Sequence, residues 1–207
     1  MKKFLFIIII FLSSCSPSED TKKSNKNSNS PVEVLGEIKR ITVGNKKAKI
    51  IIIAYESLTC SHCANFHKDV YPLLKKDYID TGLARIEFRH FPLDIAALNA
   101  SKVAQCNQDQ NLETLESLYS NQQAWVKGNT VEEINNNLKK FLKKEGFKID
   151  FEKCINDQKI EDFILNDRIE GAKKFEINAT PTIIINNKKF EKTLNYKNLK
   201  KTLEKLI

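Results

Sequence analysis

The sequence lacks an apolar run long enough for a resident transmembrane helix. Its unbroken apolar segment near the N-terminus covers residues 4–12, whereas a helix that spans a bilayer needs about 20 apolar residues. The rest of the composition, with 29% charged and 41% hydrophobic residues, is ordinary for a soluble globular protein. The segment 4–12 therefore needs an interpretation other than a membrane-spanning helix.

The sequence also lacks a compact basic block. The formal net charge is +8, but lysines spread along the chain carry it, without the aromatic residues that accompany basic ones in many nucleic-acid-binding proteins. We interpret these lysines as solvated faces and predict no nucleic-acid partner. The 207 residues suffice for one domain, with or without an insertion. No added dimerisation domain is recognisable, so we expect a monomer.

A second Cys-x-x-Cys motif is absent, which limits metal chemistry. The motif that is present contains Cys60 and Cys63, and the chain has three histidines. A structural zinc site takes four protein ligands, which is more than these two cysteines and one imidazole, from His62 or His67, can supply. We therefore predict neither a metal site nor another cofactor.

Cys60 and Cys63 lie where a predicted strand is followed by a helix. Isoleucines occupy residues 50–53, and apolar residues recur at helical spacing after Cys63. The first turn of a helix has free N–H groups and the positive end of the dipole, which together stabilise a thiolate. We predict that Cys60 is the attacking sulfur, that Cys63 forms a disulfide with it, and that His62 adds a positive charge nearby. From these residues alone, an inert pair and half of a zinc site remain alternatives.

Two segments carry a resemblance to a known family. Residues 55–67, which include the Cys-x-x-Cys motif, resemble the active-site segment of DsbA-type thiol:disulfide oxidoreductases, a branch of the thioredoxin superfamily. Thr180 and Pro181, followed by Thr182 and three isoleucines, are similar to the Thr-Pro-Thr segment of that superfamily, whose proline is cis and lies against the active-site disulfide. The resemblance runs from about Ile38 to the C-terminus. It implies that Thr180 and Pro181 belong to the active site.

The order of predicted elements agrees with that family. The fold class is α/β, a thioredoxin fold with a helical domain inserted between the third strand and the cis-proline strand. We place the first part of the thioredoxin fold at residues 32–92, the helical domain at 93–176 and the second part at 177–207. Predicted strands cover residues 38–43, 49–57 and 84–91, and a hairpin turn falls at Asn186 and Asn187. Predicted helix N-caps are Asp94, Thr130, Asp150 and Asn195, and the predicted inward stripes include Ile160, Phe163, Ile164 and Ala172, then Leu199, Leu203 and Leu206.

The N-terminal residues have the pattern of a targeting segment. Lys2 and Lys3 precede the apolar run, and Ser13-Ser14-Cys15 resembles a bacterial lipoprotein cleavage site. We predict a signal peptide at residues 1–14, lipid attached to Cys15 and a flexible tether at 15–31, because residues 16–31 are too polar to form a core. An ordinary secretory signal with an incidental cysteine is the alternative. Either interpretation predicts export, and the lipoprotein interpretation predicts a periplasmic protein held at a membrane through its lipid.

Cys106 and Cys154 both fall in the predicted helical insertion. An exported protein meets an oxidising environment, and the resemblance implies that some relatives carry a second cysteine pair, so we predict a structural disulfide between them. Two buried free thiols remain the alternative.

We interpret His90 and Trp125 as packing residues.

The resemblance implies an oxidase that donates its Cys60–Cys63 disulfide to reduced or unfolded secreted proteins and is reoxidised by a membrane partner. Two departures from the family pattern bear on this. Ser61 stands where these oxidases commonly have proline, which opens the alternative of a reductase or isomerase; a metal-binding envelope module without enzymatic activity is a further alternative. Proteins of this family usually have an acidic residue beneath the active site, at the position that Ala54 occupies here. Glu56 lies two residues further along the strand and on the same face. Glu56 is therefore either a shifted proton relay or a solvated acid at a strand end.

Overall fold

The computed structural model describes residues 38–207. The predicted signal peptide, the predicted lipid attachment at Cys15, the whole predicted tether and residues 32–37 of the predicted first thioredoxin part lie outside these residues. Within the described residues, the strands are β1 Ile41–Gly44, β2 Ile50–Glu56, β3 Ala84–His90, β4 Thr182–Ile185 and β5 Lys188–Lys189. The helices are α1 Ser61–Asn65, α2 Tyr71–Leu74, α3 Ile95–Cys106, α4 Asn111–Ser120, α5 Gln122–Trp125, α6 Val131–Lys144, α7 Phe151–Ile155, α8 Gln158–Phe175 and α9 Tyr196–Leu203.

The strands form one mixed sheet in the order β1-β3-β2-β4-β5. β2 pairs parallel with β3 and antiparallel with β4, while β1 pairs antiparallel with the outer side of β3. The apolar run in β2 is buried on both faces, as expected of a central strand. The α/β thioredoxin fold predicted from the sequence is confirmed, and β1 lies at one edge of the sheet.

Helices α3 to α8 lie between β3 and β4 in the chain, which confirms the helical insertion. The predicted N-caps hold: side-chain oxygens of Asp94, Thr130 and Asp150 accept backbone N–H groups of the first helical turns, and Asn195 does so for α9. Such caps satisfy donors that have no partner inside the helix. Among residues 38–207, none of the helices combines the length and the apolar character that crossing a membrane requires.

Two predicted inward residues are exposed instead. Ala172 points outward on α8, and the buried stripe runs through Asp167 and Gly171. A Cβ at Gly171 would lie 2.7 Å from the Tyr55 ring, so the close approach of helix to sheet needs glycine there. Leu206 is exposed because α9 ends at Leu203.

The helix that follows the Cys-x-x-Cys motif is continuous but irregular. Two π-helical turns, Phe66–Val70 and Lys75–Ile79, alternate with α1 and α2. Pro72 falls in the first turn of α2, directly after a π-helical turn. Proline lacks an N–H and crowds the preceding turn, so a locally widened helix accommodates it.

The β4–β5 hairpin closes through Asn186 and Asn187, as predicted. Both residues have positive φ, 47° and 63°, which asparagine tolerates better than most residues and which fits the twist of a two-residue hairpin. Oδ1 of Asn186 also accepts the N–H of Ile51 at 2.8 Å. This bond ties the hairpin to the start of the central strand, and β4 carries the residues that follow Pro181.

Candidate active site

Cys60 caps the helix that follows β2. β2 ends at Glu56, Cys60 adopts an extended N-cap conformation with φ −79° and ψ 118°, and α1 begins at Ser61. Cys60 is partly exposed whereas Cys63 is buried, and both are thiols in the structure. The predicted strand-to-helix context of the motif is confirmed, and it leaves one sulfur accessible and one covered.

The surroundings of Cys60 favour its thiolate. The Cys63 thiol donates to the Cys60 sulfur, and this hydrogen bond is the main cause that lowers the pKa of Cys60 to about 5. Partial burial opposes the shift, while the backbone N–H groups of Cys63 and His62 add to it. A thiol with such a pKa is ionised at neutral pH and is a good leaving group in disulfide exchange.

Cys63 has the opposite character. Its side chain is fully buried, and burial raises its pKa far above the ordinary value; the hydrogen bond to Cys60 and the negative charge of Glu56 raise it further. In the reduced protein Cys63 is therefore a neutral thiol beside a Cys60 thiolate. The two cysteines thus hold one proton between them at neutral pH.

The loop that carries Thr180 and Pro181 faces the accessible sulfur. The Thr180–Pro181 peptide bond is cis, and the carbonyl oxygen of Thr180 lies 3.3 Å from Sγ of Cys60, within hydrogen-bond distance of the thiol form. A thiolate cannot donate to that carbonyl. The Thr180 hydroxyl, which is buried and without a partner among the described residues, is a donor that can turn to the thiolate.

Glu56 is buried, so its interpretation as a solvated acid at a strand end is wrong. It is only 2% exposed, because β2 continues to this residue and helices cover its face. Oε2 of Glu56 lies 2.8 Å from Nε2 of His67. Burial raises the pKa of Glu56, the nearby His67 opposes this, and the charge of Cys60 adds to it. The buried acid is thus two residues away from Ala54, the position that the resemblance implied.

The three histidines have different surroundings. His62 is exposed and supplies its backbone N–H to Cys60. His67 is buried, and its ring stacks on Tyr119 with centroids 4.1 Å apart. His90 is buried, and burial lowers its pKa to about 4. Among residues 38–207, no group of three or more His, Cys, Asp and Glu side chains is arranged to hold a metal ion.

Sequence reasoning missed Gln122, which connects the helical insertion to the motif. Its Nε2 donates to the carbonyl oxygens of Leu58 and Cys60 at 2.8 and 3.0 Å. The residue lies in the four-residue helix α5 next to Trp125, whose indole N–H donates to the carbonyl of Leu118. A single glutamine in a polar stretch carries no signal of a contact 62 residues away.

A second missed contact involves Thr59, the residue before Cys60. The Thr59 hydroxyl donates to Oδ2 of Asp94 at 2.7 Å, while Oδ1 of the same carboxylate caps α3 through the N–H of Ala97. The prediction of Asp94 as an N-cap was correct but incomplete. Asp94 thus joins the start of the insertion to Thr59, the residue that precedes Cys60.

Cys106 and Cys154 are joined by a disulfide, with Cα atoms 5.6 Å apart. The bond links the end of α3 to α7. Both helices belong to the insertion, so this bond braces the helical part of the molecule and is separate from the Cys60–Cys63 pair.

Comparisons with known proteins agree with this geometry. A family model described as Thioredoxin matches residues 37–205. The crystal structure of α-DsbA1 from Wolbachia pipientis is similar, with 33% identity, a TM-score of 0.72, and coverage of 84% of this chain and 93% of that one. Disulfide bond formation protein D of Bacillus subtilis is 27% identical, over 79% of this chain and 75% of its own length.

Rickettsia proteins provide further relatives. One from Rickettsia prowazekii, named provisionally as a protein-disulfide oxidoreductase, is 28% identical over 91% of this chain. The chain covers 70% of that protein but only 53–62% of the length of four relatives from other Rickettsia species. These relatives are therefore longer than the region they share with this chain.

Proposed function

The chain belongs to the DsbA-type branch of the thioredoxin superfamily, and we propose that it is a thiol:disulfide oxidoreductase that donates disulfides to other proteins. The observation that carries this proposal is the contrast between the two cysteines of the motif. Cys60 is accessible and has a pKa of about 5, whereas the pKa of buried Cys63 is raised. Disulfide exchange needs this arrangement, because one sulfur must exchange with a partner while the other closes the internal disulfide.

The reaction starts from the oxidised Cys60–Cys63 pair. A substrate thiolate attacks Sγ of Cys60, a mixed disulfide forms, and Cys63 leaves and takes up a proton. A second substrate thiolate then attacks the substrate sulfur of the mixed disulfide and releases Cys60 as a thiolate. The substrate is oxidised by two electrons and the enzyme is reduced by two. The backbone of Thr180 and Pro181 lies beside Cys60. This position supports a role in holding an extended segment of the substrate protein.

The direction of the reaction follows from the stability of the Cys60 thiolate. A lower pKa of the exposed thiol stabilises the reduced form and makes the couple more oxidising. The value of about 5 lies between about 7 for thioredoxin and about 3.5 for DsbA. The corresponding potentials are about −270 and −120 mV. An oxidase role is favoured over that of a strong reductant, although Ser61 replaces the usual proline.

Glu56 supports the same chemistry as a proton relay. It is buried, its pKa is raised, and its charge acts on Cys63. A protonated Glu56 can supply the proton that Cys63 takes up when it leaves, and an ionised Glu56 can accept that proton during reoxidation. The acid is displaced by two residues from the usual position, but it remains on the same face of the same strand.

We further propose that the protein is exported to the periplasm, is held at a membrane by lipid on Cys15 and acts on reduced secreted proteins. The apolar segment before Ser13-Ser14-Cys15 and the Cys106–Cys154 disulfide support an oxidising compartment. Each turnover leaves the enzyme reduced, so an acceptor of two electrons must reoxidise it, and the family resemblance supports a membrane partner in that role. Labelling with radioactive palmitate, with a Cys15→Ser control, tests the lipid anchor.

The equilibrium of the Cys60–Cys63 couple with glutathione tests the oxidase role. The protein should carry Cys15→Ser and an intact Cys106–Cys154 bond, so that one dithiol pair titrates. We expect a potential well above that of thioredoxin and closer to the −120 mV of DsbA. A potential near −270 mV would overturn the oxidase role in favour of a reductase or isomerase. Stoichiometric metal with a redox-silent pair would favour the metal-binding alternative.

A further inference from the structure

We propose that His67 is a positioning residue for disulfide exchange: it binds one oxygen of the Glu56 carboxylate and thereby keeps the other oxygen available to exchange a proton with Cys63. This inference rests on the proposed exchange at Cys60 and Cys63. It adds a residue that the sequence reasoning weighed only as a metal ligand. It also explains how Glu56 can exchange a proton with Cys63, although the family resemblance places the buried acid at the position of Ala54.

The spacing of the three residues brings them to one side of the sheet. Cys63 and His67 are four residues apart, so they lie on the same face of the helix one turn from each other, and both are buried. Glu56 reaches the same space from the end of β2. Its Oε2 is 2.8 Å from Nε2 of His67, with both side chains at most 4% exposed.

The hydrogen bonding of the pair is one-sided. Oε1 of Glu56 and Nδ1 of His67 are buried, and neither has a hydrogen-bond partner among residues 38–207. An unpaired buried N–H costs more than an unpaired lone pair on a ring nitrogen. The arrangement therefore favours a hydrogen on Nε2 that is donated to Oε2. It leaves Oε1 as the oxygen that can bind or release a proton.

The neighbours of His67 fix its ring. It stacks on Tyr119 from α4 at an interplanar angle of 17°, and Tyr71 from α2 and Phe88 from β3 lie 5.4 and 5.2 Å away, centroid to centroid. An imidazole packed on three sides cannot turn to offer Nδ1 to Glu56 without repacking. Its position between aromatic rings suits a residue that orients another group.

The other titratable groups around the pair do not compete for this role. Burial raises the pKa of Tyr71 and Tyr119, so their hydroxyls stay protonated. His90, the register partner of Glu56 on β3, has a pKa lowered to about 4. The Cys60 charge raises the pKa of Glu56. Glu56 thus retains its proton to a higher pH than an ordinary carboxyl.

The proton step balances as follows. In a mixed disulfide on Cys60, Cys63 passes its proton to Oε1 of Glu56, and the Cys63 thiolate attacks Sγ of Cys60. The bond between Cys60 and the bound thiol breaks, and that thiol leaves as a thiolate and takes a proton from water. Cys63 is oxidised and the leaving sulfur is reduced. In the donating direction Glu56 returns the proton to Cys63.

The test measures how fast Cys63 releases a small thiol bound to Cys60, as a function of pH. Protein with Cys15→Ser is loaded with glutathione at Cys60, and the release of glutathione is followed from pH 5 to 9. The wild-type rate should rise through a midpoint set by Glu56, and Glu56→Gln should abolish that inflection. His67 lowers the pKa of Glu56, so in His67→Phe the midpoint should move up by roughly one pH unit.

Three variants separate positioning from packing. His67→Gln keeps a donor and should stay closer to the wild-type midpoint than His67→Phe. The double variant Glu56→Gln with His67→Phe should release glutathione at the rate of Glu56→Gln alone, because His67 acts through Glu56. Asp69→Asn, which changes an exposed acid in the same helical turn as His67, should leave the profile unchanged.

A slower rate in His67→Phe with an unchanged midpoint would overturn the proposal, since loss of packing alone slows the reaction equally at every pH. Additive effects in the double variant would also overturn it. If His67→Phe does not fold, His67→Leu replaces it, and the 13C shift of the Glu56 carboxyl reports the midpoint directly. A midpoint in His67→Leu equal to that of wild-type protein would contradict the role of His67. Failure of wild-type protein to form the adduct or to release glutathione would instead count against the proposed function.

Discussion

Gln122 and Cys60, which are 62 residues apart in the chain, are joined by a hydrogen bond of 3.0 Å from the glutamine amide to the cysteine carbonyl. The same amide donates to Leu58. The helical insertion thus holds the backbone of the accessible cysteine of the motif. The accessible cysteine is positioned by the sheet before it, the helix after it and a side chain from the insertion.

Replacement of Gln122 by alanine should therefore weaken both folding and exchange. The carbonyls of Leu58 and Cys60 lose their donor, and such a loss in a buried place costs roughly 1–3 kcal/mol. The free energy of unfolding in urea and the rate of reduction by dithiothreitol measure the two effects. Gln123→Ala changes the exposed neighbour in the same helix and is the matched control. Equal behaviour of the two variants would contradict a role for Gln122.

The two cysteine pKa values predict how the potential of the couple depends on pH. Cys60, with a pKa of about 5, stays ionised above that pH, and Cys63, with its raised pKa, takes up the proton. Reduction by two electrons then binds one proton, and the potential should fall by about 30 mV per pH unit between pH 6 and 8.

Equilibration with glutathione buffers at several pH values measures this slope. A slope of about 59 mV per unit, which corresponds to two protons for two electrons, would contradict the ionised Cys60.

Cys63→Ala removes the thiol that donates to Cys60 and should raise the pKa of Cys60. The ultraviolet absorbance of the thiolate, followed as a function of pH, reports this pKa. An unchanged absorbance midpoint in this variant would mean that other groups stabilise the thiolate.

The Cys106–Cys154 bond should stabilise the fold without taking part in exchange. It closes a loop with a sequence separation of 48, for which the chain-entropy model gives a stabilisation of roughly 3–5 kcal/mol. Cys106→Ala with Cys154→Ala should lower the free energy of unfolding by this order, measured in urea with the Cys60–Cys63 pair oxidised in both proteins. The Cys60–Cys63 potential should change little; a large change would connect the two disulfides.

His90 should make the protein sensitive to acid. Burial lowers its pKa from the ordinary value of 6.5 to about 4 in the folded protein, so the unfolded chain binds the proton more tightly. Stability should therefore decrease as pH falls from about 6.5 to about 4, by an order of 3 kcal/mol from this group. Urea titrations at pH 4.5 and 7 measure the free energy of unfolding, and the difference between the two pH values should be smaller in His90→Gln than in wild-type protein. The same pH dependence in both proteins would assign the effect to other groups.

The sequence predicted the parts of the fold that depend on local patterns. The isoleucine run of β2, the N-caps Asp94 and Asn195, and the asparagine turn after β4 each follow from interactions within a few residues. The Cys-x-x-Cys context was predictable for the same reason, because its strand and helix adjoin it directly.

The parts that were missed depend on distant neighbours. The burial of Glu56 results from helices that cover the end of β2, and the exposure of Ala172 results from the fit of Gly171 against Tyr55. The contact of Gln122 with Cys60 needs the insertion to fold back on the motif. None of these relationships has a local pattern, so strand alternation and helical periodicity could not reveal them.

The position of the insertion also has a consequence for the order in which the chain can assemble. β2 must pair with β4, and Cys60 meets Thr180 across 120 residues of sequence. A chain emerging from a ribosome or translocon N-terminus first therefore exposes both motif thiols before the loop opposite them exists. Contacts of such long range form slowly. A nascent chain in an oxidising space is thus itself a substrate for thiol chemistry, and Cys106 becomes available before its partner Cys154.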